Sequence, residues 1–303
     1  MKTTLNKMTQ LSLLVVAVAA GALLLAPAPA QAVVTCPTAS TADLDLDGFT
    51  DTQECAGITT LGITPLAVPS CTAAQIADQV QRATCLDPNS KDLFVILVKA
   101  AGSNLDRYLG TADPLAVLRK TLDQRGLGIT VHQITNDQAV NTPTNTTTDR
   151  RVVATTSATT FQKALRITEN LATSQTATGV CTQGTPNKLD RCTVYSQKIV
   201  ELVSRTCTGK TCALSPPGAA LNADPVGNVI ANYFQDTIAH ELSHSLSLSP
   251  TYDSKLGGNH YVTGANTVMD QSVYYTNTAT TATFFLPNVY AINDVDARAA
   301  KLK

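Results

Sequence analysis

Hydrophobic residues recur along the chain at two different spacings, which predict a mixture of strands and helices. Continuous or alternating apolar stretches predict strands at residues 93–98, 128–135 and 151–156. Apolar positions three and four residues apart predict helices at residues 114–127, 161–171 and 288–302, and in a segment that opens at Pro225 and continues through residue 244. A polar loop is predicted at residues 136–149. The mixed order predicts an α+β fold with α/β-like character.

The first 32 residues have the pattern of a secretory signal peptide. Lys2 and Lys7 precede an uncharged, mostly apolar run at residues 11–25, and small residues follow at 30–32. The run has 15 residues, fewer than the roughly 20 that a membrane-spanning helix needs. We therefore expect an exported protein without a stable membrane anchor, located outside the cell or in a periplasm.

Composition narrows the possible partners and assigns a role to the cysteines. The 303 residues are 44% hydrophobic and 15% charged, with a net charge of −1 and no basic stripe, so nucleic acid is not an expected partner. An even number of cysteines, eight, in an exported chain predicts disulfides. Spacing favours pairing between sequence neighbours, although eight cysteines allow 105 connectivities. The expected pairs are Cys36–Cys55, Cys71–Cys85, Cys181–Cys192 and Cys207–Cys212.

The same features divide the chain into three parts. Residues 1–32 are the predicted signal peptide, and residues 33–90 are rich in Cys, Thr, Asp and Pro with little sustained periodicity. Those residues predict a small segment stapled by disulfides. Residues 91–303 carry the periodic elements and are the predicted main domain.

A His-Glu-x-x-His element lies on the helix that opens at Pro225. His240 and His244 are four residues apart, so they share one helical face about 6 Å apart. Two imidazoles in that arrangement can bind one Zn²⁺ ion. Glu241 lies around the helix from them, where it can accept a proton from a water molecule on the metal. The element predicts zinc-dependent hydrolysis of an amide bond, with Glu241 as the catalytic base.

A catalytic zinc ion takes three protein ligands and keeps one open position. No glutamate follows Glu241 in the chain, and His260 comes after a Gly-Gly-Asn turn that could reverse the chain beneath the helix. We expect His260 to be the third ligand, with Asp253 as the alternative. His132 lies in a predicted strand without a nearby partner and is expected to be an ordinary buried histidine.

The element resembles that of the metzincins, a clan of zinc endopeptidases. The resemblance rests on His240, Glu241 and His244, and on residues 267–270, which are similar to the methionine-containing turn of that clan. Ser247 and Pro250 stand where the metzincin pattern has Gly and the third His. A third histidine delayed by an insertion, as in leishmanolysin-type members, is similar to the position of His260. The resemblance implies a zincin-type catalytic domain, with a mixed sheet and an active-site helix.

A second predicted metal site precedes the main domain. Residues 43–54 fit the twelve-residue calcium loop, with glycine at the sixth position and oxygen ligands at the key positions. Packed carboxylates repel one another unless a divalent cation neutralises them, and Ca²⁺ prefers such oxygen ligands. The loop resembles those of dockerin or thrombospondin type 3 modules, which implies a structural role. The expected ligands are Asp43, Asp45, Asp47, the Phe49 carbonyl, Asp51 and Glu54.

Two functions are consistent with these features. The first is a secreted zinc endopeptidase that acts on a protein or peptide substrate and carries a structural calcium ion. The second is a non-enzymatic, calcium-dependent adhesion or anchoring protein whose histidine motif is incidental or degenerate. Zinc bound in a one-to-one ratio to the chain distinguishes the first function from the second.

Three tyrosines remain open as hydrogen-bond donors to the oxyanion that forms during hydrolysis, namely Tyr261, Tyr274 and Tyr275.

Overall fold

The structure is a computed structural model. It describes residues 42–45, 47–124, 128–141, 150–151, 164–182, 191–215, 217–245 and 275–285. The described strands are β1 (Ile58–Thr59), β2 (Ala67–Val68), β3 (Lys91–Val98), β4 (Ile129–Ile134), β5 (Val140–Asn141), β6 (Arg150–Arg151), β7 (Leu165–Asn170), β8 (Gly179–Thr182), β9 (Arg191–Tyr195), β10 (Thr211–Ser215), β11 (Tyr275–Asn277) and β12 (Thr281–Phe285). The described helices are α1 (Asp51–Ala56), α2 (Ala73–Ile76), α3 (Gln79–Arg82), α4 (Asn104–Leu109), α5 (Ala116–Gln124), α6 (Ser196–Cys207) and α7 (Pro225–Ser245). A 3₁₀ turn covers Asn136–Gln138.

Five strands form the main sheet in the order β4-β3-β7-β9-β8. The first four are parallel, and β8 runs antiparallel to β9 at the edge. A smaller sheet has the order β10-β12-β11. Helices and both kinds of strand pairing occur together, which confirms the α+β class.

Strand β3 is buried on both faces of the main sheet. Leu93 and Val95 contribute to the core that contains residues of α4, α5, α6 and α7, whereas Phe94 and Ile96 contribute to a second core. The second core includes Phe49 and the strands β1 and β2, so the segment before residue 90 covers the other face. The two cores explain why β3 is a continuous apolar run rather than an alternating one. The predicted division at residue 90 stays a prediction.

Helix α7 begins where the sequence predicts. The Asp224 carboxylate accepts a hydrogen bond from the backbone N–H of Gly227 (2.7 Å), and Pro225 occupies the first helical position, where no N–H is needed. Apolar residues along one side, from Val229 to Leu242, are buried against the sheet and the other helices. Burial of this face holds the His-Glu-x-x-His element at a fixed position beside β8 and β9.

Several other predicted elements are confirmed. The apolar run at residues 93–98 is β3, residues 128–135 contain β4, and residues 114–127 contain α5. The Asp113 carboxylate accepts a hydrogen bond from the backbone N–H of Leu115 (2.9 Å), as expected of a residue that caps a helix. Of residues 151–156, only Arg151 is described, and it ends the two-residue strand β6. The helix predicted at 288–302 and the signal peptide at 1–32 lie outside the described residues.

The helix predicted at residues 161–171 is wrong, because residues 165–170 form β7 near the centre of the sheet. Leu165, Ile167 and Glu169 are buried, and the residues between them are half-buried, which is the two-residue period of a strand. Pairing with β3 and β9 on both sides outweighs the weaker helical spacing of this short segment. The polar loop predicted at 136–149 is also wrong in part, since it contains the 3₁₀ turn and β5.

Three of the four predicted disulfides are present. Cys71 pairs with Cys85, Cys181 with Cys192, and Cys207 with Cys212. Cys55 is also disulfide-bonded, and its predicted partner Cys36 lies outside the described residues. Such crosslinks are typical of proteins in an oxidising compartment. Among the described residues, no helix combines the length and the apolar character needed to cross a bilayer.

The contact between Phe49 and Phe94 tests how the segment before residue 90 covers the sheet. The Phe49 ring is 1% exposed and meets Phe94 edge-on, with ring centroids 5.9 Å apart. We expect Phe49→Ala to lower the free energy of unfolding by about 3–5 kcal/mol, because it leaves a cavity between two packed layers. Ile63→Ala is the control, since that side chain is 93% exposed and should matter little. Equal stability of the two variants in urea denaturation would contradict this packing.

Candidate functional site

The His-Glu-x-x-His element lies in the last turns of α7, as the sequence predicts. His240, Glu241 and His244 all belong to the helix, and the two histidines are one turn apart in its backbone. The His240 side chain is half-buried, whereas Glu241 is only 4% exposed. The side chain of His244 and the whole of His260 and Asp253 lie outside the described part of the chain. His260 and Asp253 therefore stay predictions.

Glu241 occupies an environment that is unusual for a carboxyl group. Its Oε2 atom has no hydrogen-bond partner among the described residues. Burial raises the pKa of the Glu241 carboxyl to about 8. A buried carboxylate without a donor or a cation is destabilising. Glu241 is thus positioned to interact with a cation, or with a water molecule whose proton it can accept.

Strand β8 lies directly against the Glu241 side chain. A Cβ atom placed on Gly179, the first residue of β8, would come within 2.3 Å of Glu241 Oε1 and 2.8 Å of its Cγ and Cδ atoms. Only glycine allows this approach. The Cys181–Cys192 disulfide joins directly paired residues of β8 and β9, and Cys192 Sγ lies 3.2 Å from the Glu241 carbonyl oxygen. The crosslink therefore fixes the edge strand beside Glu241. Nothing in the sequence around Gly179 indicates this role, because only the fold brings it to α7.

The acidic loop closes on itself through its own carboxylates. Asp43 accepts hydrogen bonds from the backbone N–H groups of Asp47 and Gly48, both at 3.1 Å. Gly48 has a φ of 105°, a conformation that favours glycine and turns the chain sharply. Carboxylate oxygens of Asp43, Asp45 and Asp47 come within 4.8 Å of one another. The structure thus brings together the first three acidic residues of the predicted calcium loop.

The remaining predicted ligands occupy different surroundings. Glu54 is fully buried and belongs to a second group with Asp47. Asp51 is the first residue of α1, and its carboxylate accepts a hydrogen bond from the backbone N–H of Leu44 (3.0 Å), which ties the start of the loop to its end. The Phe49 side chain belongs to the second core, and its backbone N–H donates to Asp47 at 2.8 Å. The ligand roles of all six predicted groups stay predictions, including those of Asp51 and the Phe49 carbonyl.

The second acidic group contains Asp92, a residue outside the predicted calcium loop. Oxygens of Asp47, Glu54 and Asp92 lie within 4.8 Å of one another, and all three residues are buried. The backbone N–H of Asp92 donates to Asp47 Oδ2 at 2.7 Å. Asp92 comes far after the loop in sequence, so spacing gives no signal of its proximity. The available signal is a charged aspartate directly before the apolar run at residues 93–98.

The electrostatics of the loop reflect crowded, buried carboxyl groups. Burial, followed by the charge of Asp47, raises the pKa of Asp45 to about 8. Burial and the nearby carboxylates raise the pKa of Asp47 to about 7 and that of Glu54 to about 10. Burial likewise raises the pKa of Asp92 above its ordinary value. A divalent cation at this position would stabilise the ionised forms of all four groups.

His132 is a satisfied buried histidine, as expected. Its Nε2 atom lies 2.6 Å from Asp92 Oδ1, and its Nδ1 atom lies 3.1 Å from the Ala83 carbonyl oxygen. The ring stacks on Phe94 with centroids 4.7 Å apart. Burial lowers the pKa of His132 to about 4.

Among the three tyrosines proposed as oxyanion donors, only Tyr275 is described. It lies in β11, is 39% exposed, and stacks on Phe284 with ring centroids 5.4 Å apart. Tyr261 and Tyr274 lie outside the described residues.

Comparisons with protein-family models, curated proteins and solved structures found no match to the chain.

The raised pKa values predict how stability depends on pH when a chelator removes metal ions. Above about pH 4.5, the unfolded chain has released protons that Asp45, Asp47, Glu54 and Glu241 still hold in the folded state. Stability must therefore fall as pH rises, by about 1.4 kcal/mol per pH unit for each retained proton. We expect this decline between pH 6.5 and 8.5, above the midpoint at pH 6.5 of the His132 titration in the unfolded chain. Urea denaturation in a chelator measures it.

Adding Ca²⁺ is the matched measurement for this pH series. Because the cation favours the ionised carboxylates, we expect calcium to raise stability more at pH 8.5 than at pH 6.5 and to flatten the decline. If the free energy of unfolding in the chelator rises with pH instead, burial does not raise the pKa values of these carboxyl groups.

Proposed function

We propose that this protein is an exported zinc-dependent endopeptidase that is similar to the metzincins. It would act outside the cell or in a periplasm. In this proposal His240, His244 and His260 bind Zn²⁺, and Glu241 is the catalytic base. The observation that supports it most is the buried Glu241 carboxyl, which has an unpartnered oxygen and follows a predicted zinc ligand directly in the helix. Most buried carboxylates with a purely structural role have a hydrogen-bond donor or an ion-pair partner for each oxygen.

The residues present fit a zinc ion by their chemistry. Imidazole is a common zinc ligand, and histidines four residues apart on a helix can bind the same ion. Bound zinc would lower the pKa of a water ligand toward about 7 and polarise the carbonyl of the scissile bond. Glu241 would accept the proton of the attacking water and later donate it to the leaving amine. Burial raises the pKa of Glu241 to about 8 in the absence of a metal, and a nearby Zn²⁺ would favour the ionised carboxylate that accepts the proton.

The position of β8 supports a peptide as the substrate. In the described part of the chain β8 pairs with β9 alone, so its other edge offers backbone N–H and C=O groups. An extended peptide can pair with such an edge as an added strand. Glu241 lies against the face of β8 at Gly179, so a peptide paired with the edge of β8 would lie close to the catalytic base.

We also propose that the acidic loop binds a structural Ca²⁺ ion. The predicted ligands are Asp43, Asp45, Asp47, the Phe49 carbonyl, Asp51 and Glu54, and the grouping of four of these carboxylates supports the site. The carboxylates are oxygen ligands with adaptable geometry, which Ca²⁺ prefers.

Zinc content and hydrolysis by Glu241→Gln test the proposed catalytic function. We expect the purified mature protein to hold about one zinc per chain, and to cleave casein or a peptide library until a chelator is added. Glu241→Gln should keep the zinc but lower kcat/KM about 10²–10⁴-fold, because the general base is lost. Glu201→Gln on α6 is the control, since that side chain is exposed and far from α7's histidines in sequence. Absence of stoichiometric zinc, or full activity in Glu241→Gln, would overturn the proposal.

Gly179→Ala tests whether β8 positions the catalytic base. The added methyl group would meet Oε1, Cδ and Cγ of Glu241 and displace the carboxyl group. We expect kcat to fall by about 10²-fold, the loss that a misplacement of about 1 Å can cause, while the zinc content is unchanged. Val180→Ala on the same strand is the control, because Val180 is 41% exposed. Wild-type activity of Gly179→Ala would contradict the role of this close approach.

A further inference from the structure

We propose that Asp92, in strand β3, is a ligand of the cation bound by the acidic loop. This inference rests on the proposed calcium site and adds a ligand from outside the loop to it. The cation would then connect the loop at residues 43–54 directly to the main sheet.

Distances among the carboxylates support a shared ion. One oxygen each from Asp47, Glu54 and Asp92 lies within 4.8 Å of the others. Calcium–oxygen distances of about 2.3–2.6 Å place ligands on opposite sides of an ion about 5 Å apart. The three oxygens therefore lie close enough together to coordinate one ion.

Glu54 provides an independent indication of a cation. Its side chain is 0% exposed, and among the described residues its carboxyl group meets no N–H or hydroxyl donor, only the neighbouring carboxyl group of Asp92. Buried carboxylates in proteins are normally paired, hydrogen-bonded or bound to a metal. The charged groups that act most strongly on Glu54 are Asp47, Asp45 and Asp92, which are also acidic and repel it. A divalent cation among them supplies the attraction that these side chains cannot supply to one another.

The surroundings of Asp92 hold it in position for this role. Its backbone N–H donates to Asp47 Oδ2 at 2.7 Å, so strand and loop are already joined at this point. Its Oδ1 atom lies 2.6 Å from His132 Nε2, and the other ring nitrogen faces the Ala83 carbonyl oxygen. Outer partners of this kind orient a ligating carboxylate. His132 is therefore a positioning residue in this arrangement.

Calorimetric titration of the full mature protein with CaCl₂ tests the proposal. We expect Asp92→Asn to weaken calcium binding by at least about 10-fold, the loss seen even when an outer-shell partner of a metal ligand is removed. Asp106→Asn is the matched control, because its carboxylate is 59% exposed and pairs with Lys99 at the surface. It should bind calcium as the wild type does.

A second measurement uses only the wild-type protein. Calcium should slow hydrogen exchange of the amides in β3 (Lys91–Val98) as well as those of the loop, because Asp92 transmits the binding to the sheet. Protection confined to residues 43–56, or Asp92→Asn with wild-type affinity, would overturn the role of Asp92. If the wild-type protein binds no calcium, the proposed calcium site itself is wrong, and not only the role of Asp92 in it.

Discussion

Mutual repulsion among buried carboxylates is the constraint on which the rest of this structure depends. Asp47, Glu54 and Asp92 are all buried and lie close together, and burial and mutual repulsion raise their pKa values. Such a cluster is stable as a set of anions only around a cation. The same loop carries Phe49 into the core on the second face of the sheet. Folding of the segment before residue 90 is therefore coupled to metal binding in this account.

The main sheet separates the two proposed metal sites and orders both of them. On one face, α7 carries His240 and Glu241 next to the edge strand β8, and a disulfide fixes that strand. On the other face, the acidic loop packs through Phe49 on Phe94 of β3. The side chains of β3 alternate between the two cores, so this strand is common to both layers. Strand β3 therefore connects the acidic loop to the core beneath α7.

Local signals predicted the elements that depend on local chemistry. The capping Asp224 and Pro225, the long apolar face of α7 and the calcium-loop spacing are all readable from neighbouring residues. Strand β7 was not predicted, because its pairing partners β3 and β9, and not its own short pattern, decide its conformation. Gly179 and Asp92 were missed for the same reason, since each matters through a contact with a distant part of the chain.

Anomalous X-ray diffraction from crystals of the metal-loaded protein, collected on both sides of the zinc absorption edge, tests the central claim most directly. The account predicts one zinc peak about 2.0–2.1 Å from imidazole nitrogens of His240 and His244. It also predicts a calcium ion about 2.3–2.6 Å from carboxylate oxygens of Asp47 and Glu54. If crystals of protein prepared with both metals hold an ion at neither position, the account is contradicted.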